Sequence, residues 1–171
     1  SARGITRFDL LGHSMGGMIV QEMVRLAPER VGRLILYATG SRGKLDGRFE
    51  TIETSMARAR EDGAAQTARR IAATWFMQRE AAEGYRPCAD IAAMARLDAI
   101  LAGLTAMRDW SGETELPGIA AETLVIWGDR DSTYAWPQIE LLWKRIPTTN
   151  LAVIPACAHA VHLERPELFN A

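Results

Sequence analysis

The chain is short of the features that mark specialised surroundings. Its 171 residues hold two cysteines, Cys88 and Cys157, which make no disulfide framework. A small cross-linked secreted scaffold is thereby excluded, and a reducing, cytoplasmic setting is expected. Histidine is scarce too, with His13, His159 and His162 as the full set. Cys157, His159 and His162 do not complete a zinc spacing, so no metal is expected. Charge of one sign is not in excess: the formal net charge is −1. Nothing therefore draws the chain to nucleic acid or to an anionic membrane surface. No apolar run approaches the ~20 residues of a transmembrane helix. Internal repeats and low-complexity tracts are also missing.

What is present is ordinary globular material, 48% hydrophobic and 24% charged, in a length that can bury a real core. One stretch organises it: Asp9-Leu10-Leu11-Gly12-His13-Ser14-Met15-Gly16-Gly17. Phe8, Leu10 and Leu11 read as the end of a buried strand. Residues 18–26 carry apolar side chains at helical spacing. Strand, sharp turn and helix form the context in which Gly-x-Ser-x-Gly makes a nucleophile elbow. Ser14 would sit at the apex in a strained conformation. Side chains at Gly12 and Gly16 are expected to collide with neighbouring backbone. The N–H groups of the helix's first turn would face whatever Ser14 attacks. Serine is a weak nucleophile alone, so a base and an orienting acid should follow.

In chain order, residues 7–11 form the first strand, and a helix runs from Ser14 to about Ala27, ahead of Pro28. Val31 and residues 34–38 form a second strand, closing a right-handed βαβ unit. Residues 46–60, 64–79 and 89–110 read as helices, the last with Ile91, Met94, Leu97, Leu101 and Leu104 along one face. So long an insertion suggests a cap over the sheet's C-terminal edge. Residues 123–127 are a third strand. A helix opens at Pro137 with Ile139, Leu142, Trp143 and Ile146 facing inward. Residues 151–154 are a fourth strand, and a last helix begins near Pro166. The fold class is thus α/β, with four parallel strands and flanking helices. Residues 1–40 hold the first βαβ unit, 41–118 the helical cap, and 119–171 the C-terminal part.

Ser14, Asp131 and His159 each fall just past a strand, where the carboxyl ends of an open parallel sheet share one edge. Asp129 competes with Asp131, and His162 with His159. Tyr134 and Trp136 follow the acidic turn closely and are candidate substrate neighbours. The remaining aromatics read as packing.

Three segments carry a family resemblance: residues 12–17 (Gly-His-Ser-Met-Gly-Gly), 124–131 (Leu-Val-Ile-Trp-Gly-Asp-Arg-Asp) and 154–167, from Ile154 through His159 to Glu167. Together they resemble the C-terminal part of a capped serine hydrolase of the α/β-hydrolase fold. The resemblance implies Ser14 as nucleophile, Asp131 as acid and His159 as base, in the family's chain order. It implies the Met15 N–H as oxyanion donor and His13 as a residue lining the site. No cofactor is implied. A small carbonyl substrate is expected, such as an ester or lactone, or the carbon–carbon bond of a ring-cleavage product. An acyltransferase would use the same triad.

Two departures from the family pattern carry expectations of their own. Ala158 stands where the family has glycine before the catalytic histidine, which is harmless if φ there is negative. The family also builds strands and a His-Gly loop before its elbow, and this sequence reads as a fragment without them. The first strand would then offer a bare apolar edge for self-association, and an alternative reading is a weak or inactive hydrolase that needs the missing half or a partner chain.

Overall fold

The computed structural model describes residues 4–45 and 47–171. The leading residues 1–3 of the polar lead-in, and Asp46 at the expected start of the first inserted helix, lie outside the described residues. Four strands make one sheet in the order β1-β2-β3-β4, with β1 at Phe8–His13, β2 at Val31–Tyr37, β3 at Glu122–Gly128 and β4 at Thr149–Ile154. The pairs β1·β2 and β2·β3 are parallel, with Gly12 opposite Leu36 and Leu36 opposite Val125. Thr123 N–H donates to Thr148 and Asp129 N–H to Ile154, so β4 runs beside β3 in the same direction. Parallel strands covered on both faces read as continuous apolar runs. Leu34, Leu36 and Val125 share one face of the sheet and are fully buried, each contributing about 1.5–3 kcal/mol, whereas Leu11, expected in a buried strand, is half exposed on the other face.

Helix α1 spans Met15–Leu26 and buries Met18, Val20 and Val24. The 3-10 turn Pro28–Arg30 ends it, since proline has no N–H to continue the helical bonding. Four helices stand between β2 and β3: α2 (Ile52–Asp62), α3 (Ala64–Ala73), α4 (Tyr85–Ala92) and α5 (Leu97–Asp109). The first starts later than the pattern suggests because Thr51 caps it, its hydroxyl accepting from Thr54 N–H at 3.1 Å. Gly63, at φ 82, separates α2 from α3. The single helix expected over 89–110 is two. Met94 and Ala95 close tight turns onto Ile91 and Ala92, so the apolar spacing was read across a break. Ile91 and Met94 are consequently exposed, and the buried side of α5 holds Leu104 and Met107.

Helix α6 (Trp136–Arg145) buries Ile139 and Leu142, with Ile146 buried just beyond it. Trp143, expected inward, is half exposed, its ring tilted against Trp136 with centroids 6.4 Å apart. Short helices α7 (Val161–Glu164) and α8 (Pro166–Phe169) close the chain. The residues cluster into two compact units. One comprises the chain up to Gly43 with Trp110–Trp127 and Trp136–Val153; the other comprises Lys44–Asp109, Gly128–Ala135 and Ile154–Ala171. Among the described residues no helix is long and apolar enough to cross a membrane.

Candidate active site

In the first unit, Ser14 links β1 to α1 at φ 55 and ψ −122. A non-glycine residue in such a region costs about 1–3 kcal/mol and persists only where its surroundings fix it. They do so here. Ser14 N–H donates to Tyr37 O at 3.0 Å, and Ser14 O accepts from Gly17 N–H at 2.9 Å and from the Thr39 hydroxyl at 2.7 Å. Gly12 is required, because a Cβ there would stand 2.4 Å from Gly16 O and 2.5 Å from Val20 Cγ2. Gly16 is not: its Cβ would meet nothing within 4 Å, contrary to the steric expectation from sequence. The tight neighbour is Gly17, whose Cβ would come within 2.4 Å of the Thr39 side chain. The two glycines that matter are those facing another segment's atoms, and Gly16 contributes its carbonyl rather than its missing side chain. Met15 opens α1, so its N–H has no acceptor within the helix. His13 stacks on Tyr37, ring centroids 4.4 Å apart. Trp136 packs between Trp127 and Trp143 in an aromatic row.

In the second unit, Asp131 and His159 form a pair whose side chains are wholly buried, with Oδ2 and Nδ1 2.8 Å apart. A carboxylate only accepts, so Nδ1 donates to it, and in the neutral imidazole that tautomer keeps the lone pair on Nε2. The other oxygen, Oδ1, accepts from Thr133 N–H at 2.7 Å and Tyr134 N–H at 3.2 Å. Those two bonds fix the plane of the carboxylate. Asp129, the rival acid, accepts instead from Cys157 N–H at 3.4 Å and has Arg130 beside it. It shapes the turn. Tyr134 lies nearly parallel to the His159 ring at 5.8 Å, and Trp75 stands at 6.0 Å. The loops carrying the two residues are stitched by Asp129 N–H to Ile154 O and Arg130 N–H to Cys157 O. Gly128 permits that approach, since a Cβ there would meet Ala158 O at 2.2 Å.

Non-glycine residues with positive φ among the described ones are Ser14, Ala38, Arg79 and Ala156. Ala158 is not one of them, so the glycine of the family pattern is dispensable at that position. Glu164 braces the same loop. Its Oε2 accepts from Ala158 N–H at 2.6 Å and lies 3.5 Å from Cys157 Sγ, while Oε1 accepts from Met77 N–H at 2.7 Å. Burial and that carboxylate push the Cys157 thiol up to about 12, which makes it an inert packing group. His162 is held below the usual histidine range by burial and by His159 nearby. Among the described residues no cluster of His, Cys, Asp and Glu could hold a metal ion.

Sequence reasoning missed Thr39, Glu164 and Trp75 as parts of this architecture. Glu164 had a signal, lying five residues past His159 inside the third motif. Thr39 and Trp75 had none, because their contacts reach across the chain.

Parallel strands, a strained serine between β1 and α1, and an Asp–His pair in the loops after β3 and β4 define a hydrolase-type α/β fold. The chain belongs to the alpha/beta hydrolase family, whose pattern it matches over residues 2–171. A Rhizobium rhizogenes protein named as a carbamate hydrolase, RutD, is 29% identical over 97% of this chain and 65% of its own length. The pimeloyl-[acyl-carrier protein] methyl ester esterase of Aeromonas salmonicida is 26% identical over 94% of this chain and 66% of its own. Among solved structures, the enol-lactonase of Burkholderia xenovorans LB400 superposes with a TM-score of 0.85 at 24% identity, covering 96% of this chain and 63% of that one. The chain thus spans about two thirds of the length of the proteins it resembles.

Proposed function

We propose that the protein is a serine hydrolase in which Ser14 attacks, His159 moves the proton and Asp131 orients the imidazole. The buried Asp131–His159 pair carries this reading, because it leaves Nε2 as a base of the correct tautomer. Ser14 Oγ adds to a carbonyl carbon while Nε2 takes its proton, giving a tetrahedral oxyanion. The Met15 N–H donates to that oxyanion. Collapse expels the leaving group, which takes the proton from His159, and an acyl-enzyme remains. Water then adds with the same base, and the acid product departs with Ser14 restored. The substrate is a small ester, lactone or carbamate, in keeping with the names of the relatives and the solved neighbour. Tyr134, whose ring lies against His159, is the proposed substrate neighbour on this unit. Helices α2–α5 are the proposed cap, and His13 and Trp136 are candidate pocket residues.

Strand β1 ends the sheet order, and its Leu11 is half exposed. That edge is a surface for pairing with a second copy, to be read by size-exclusion chromatography. The reading itself is tested with a panel of short-chain p-nitrophenyl esters and carbamates. Hydrolysis that disappears in both Ser14→Ala and His159→Ala supports it. Equal hydrolysis by either variant refutes it.

A further inference from the structure

The elbow contains a side chain that the proposed chemistry does not use. Thr39 is 1% exposed and lies two residues beyond β2. Its hydroxyl donates to the Ser14 carbonyl at 2.7 Å, and its side chain fills the space that Gly17 leaves open. Gln21 closes the arrangement from behind. Its Nε2 donates to Gly17 O and to Gly40 O, both at 3.0 Å, and ties the first turn of α1 to the loop after β2. Ala38 takes φ 45 to turn Thr39 in this direction, with its N–H held by Ile126 O at 2.9 Å.

The consequence follows from the planarity of the peptide group. Ser14 C=O and Met15 N–H belong to one trans peptide, so they point in opposite directions. Whatever holds the carbonyl aims the N–H. Gly17 N–H and the Thr39 hydroxyl hold this carbonyl together. Gly17 N–H moves with α1 and shares any tilt of the helix. Thr39 is anchored on β2 and does not. We propose that Thr39 is a positioning residue for the oxyanion donor: it fixes the Ser14–Met15 peptide so that the Met15 N–H faces the developing oxyanion. This rests on the serine hydrolase reading given above.

A group that acts only on the transition state lowers kcat and leaves KM alone when it is removed. Thr39→Val keeps the shape and loses the hydroxyl; Thr39→Ser keeps the hydroxyl. With p-nitrophenyl acetate, kcat of Thr39→Val should fall by about 10–100-fold, short of the loss of a whole donor, with KM within about twofold. Thr39→Ser should stay within about threefold of the wild type. A Thr39→Val variant with unchanged kcat overturns the proposal, as does a Thr39→Ser variant that falls equally far. A stability cycle separates the clamp from the chemistry. Gly17→Ala should lower Tm by roughly 5–10 °C in the wild-type background, and by less than half as much beside Thr39→Gly. Additive shifts would mean that Thr39 does not pack on Gly17, and the clamp fails. Absence of wild-type turnover with a coupled cycle would condemn the hydrolase reading and, with it, the assignment of Thr39 to an oxyanion donor.

Discussion

Asp131→Asn removes one charge and no volume, and its effect can be worked out from three hydrogen bonds. Thr133 and Tyr134 N–H both donate to Oδ1, and His159 Nδ1 donates to Oδ2. An asparagine has one oxygen and one NH₂. Placing the NH₂ at Oδ1 would set it against two backbone donors, so the oxygen goes there. The NH₂ then faces Nδ1, which must accept, and the imidazole proton moves to Nε2. The base is lost although every heavy atom keeps its place. The wrong tautomer costs about 10⁴ in kcat in a Ser-His-Asp site, or about 5 kcal/mol in the barrier. Steady-state ester hydrolysis measures kcat, and a thermal melt should show Tm within a few degrees of the wild type. A folded Asp131→Asn variant within about tenfold of wild-type kcat would refute the tautomer argument.

The remaining predictions concern the scaffold. Gly12→Ala drives a methyl into Gly16 O and Val20 and should destabilise by about 1–3 kcal/mol or prevent folding. Gly16→Ala meets no atom and should raise stability by up to about 1 kcal/mol through helix propensity; chemical denaturation compares the two. Glu164→Gln leaves one oxygen to serve Met77 N–H and Ala158 N–H on opposite sides, so stability should drop by about 1–3 kcal/mol. His162 binds its proton less readily folded than unfolded. The unfolded chain therefore binds more protons just below the ordinary histidine value of ~6.5. Stability should be fully present above that pH and decline as pH falls through the window beneath it, with a shallower decline in His162→Gln.

The strand–turn–helix around Ser14 was legible because the apolar period changes at the glycine and because Gly12 must clear the following helix. The α/β class and the four strands were legible for a similar reason, as short unbroken apolar runs bounded by turn residues mark the strands of a parallel sheet. Asp129 and Asp131 were not separable by local composition. What separates them is the pair of N–H groups at Thr133 and Tyr134, which no spacing displays. The steric role given to Gly16 failed because it assumed symmetry about the serine, whereas the crowding comes from Thr39 and falls on Gly17. The break between α4 and α5 was invisible in an alanine-rich stretch that has neither proline nor glycine to mark it. Glu164 and Thr39 act through backbone groups 87 and 25 residues away, and such pairings arise only on folding.

The central claim is that Ser14 is an activated nucleophile, and a fluorophosphonate probe followed by intact-mass spectrometry and peptide mapping tests it most directly. The account predicts a single adduct on Ser14, absent in Ser14→Ala and much slower in His159→Ala. A folded wild-type chain that takes up no probe, or labels at another residue, would contradict it.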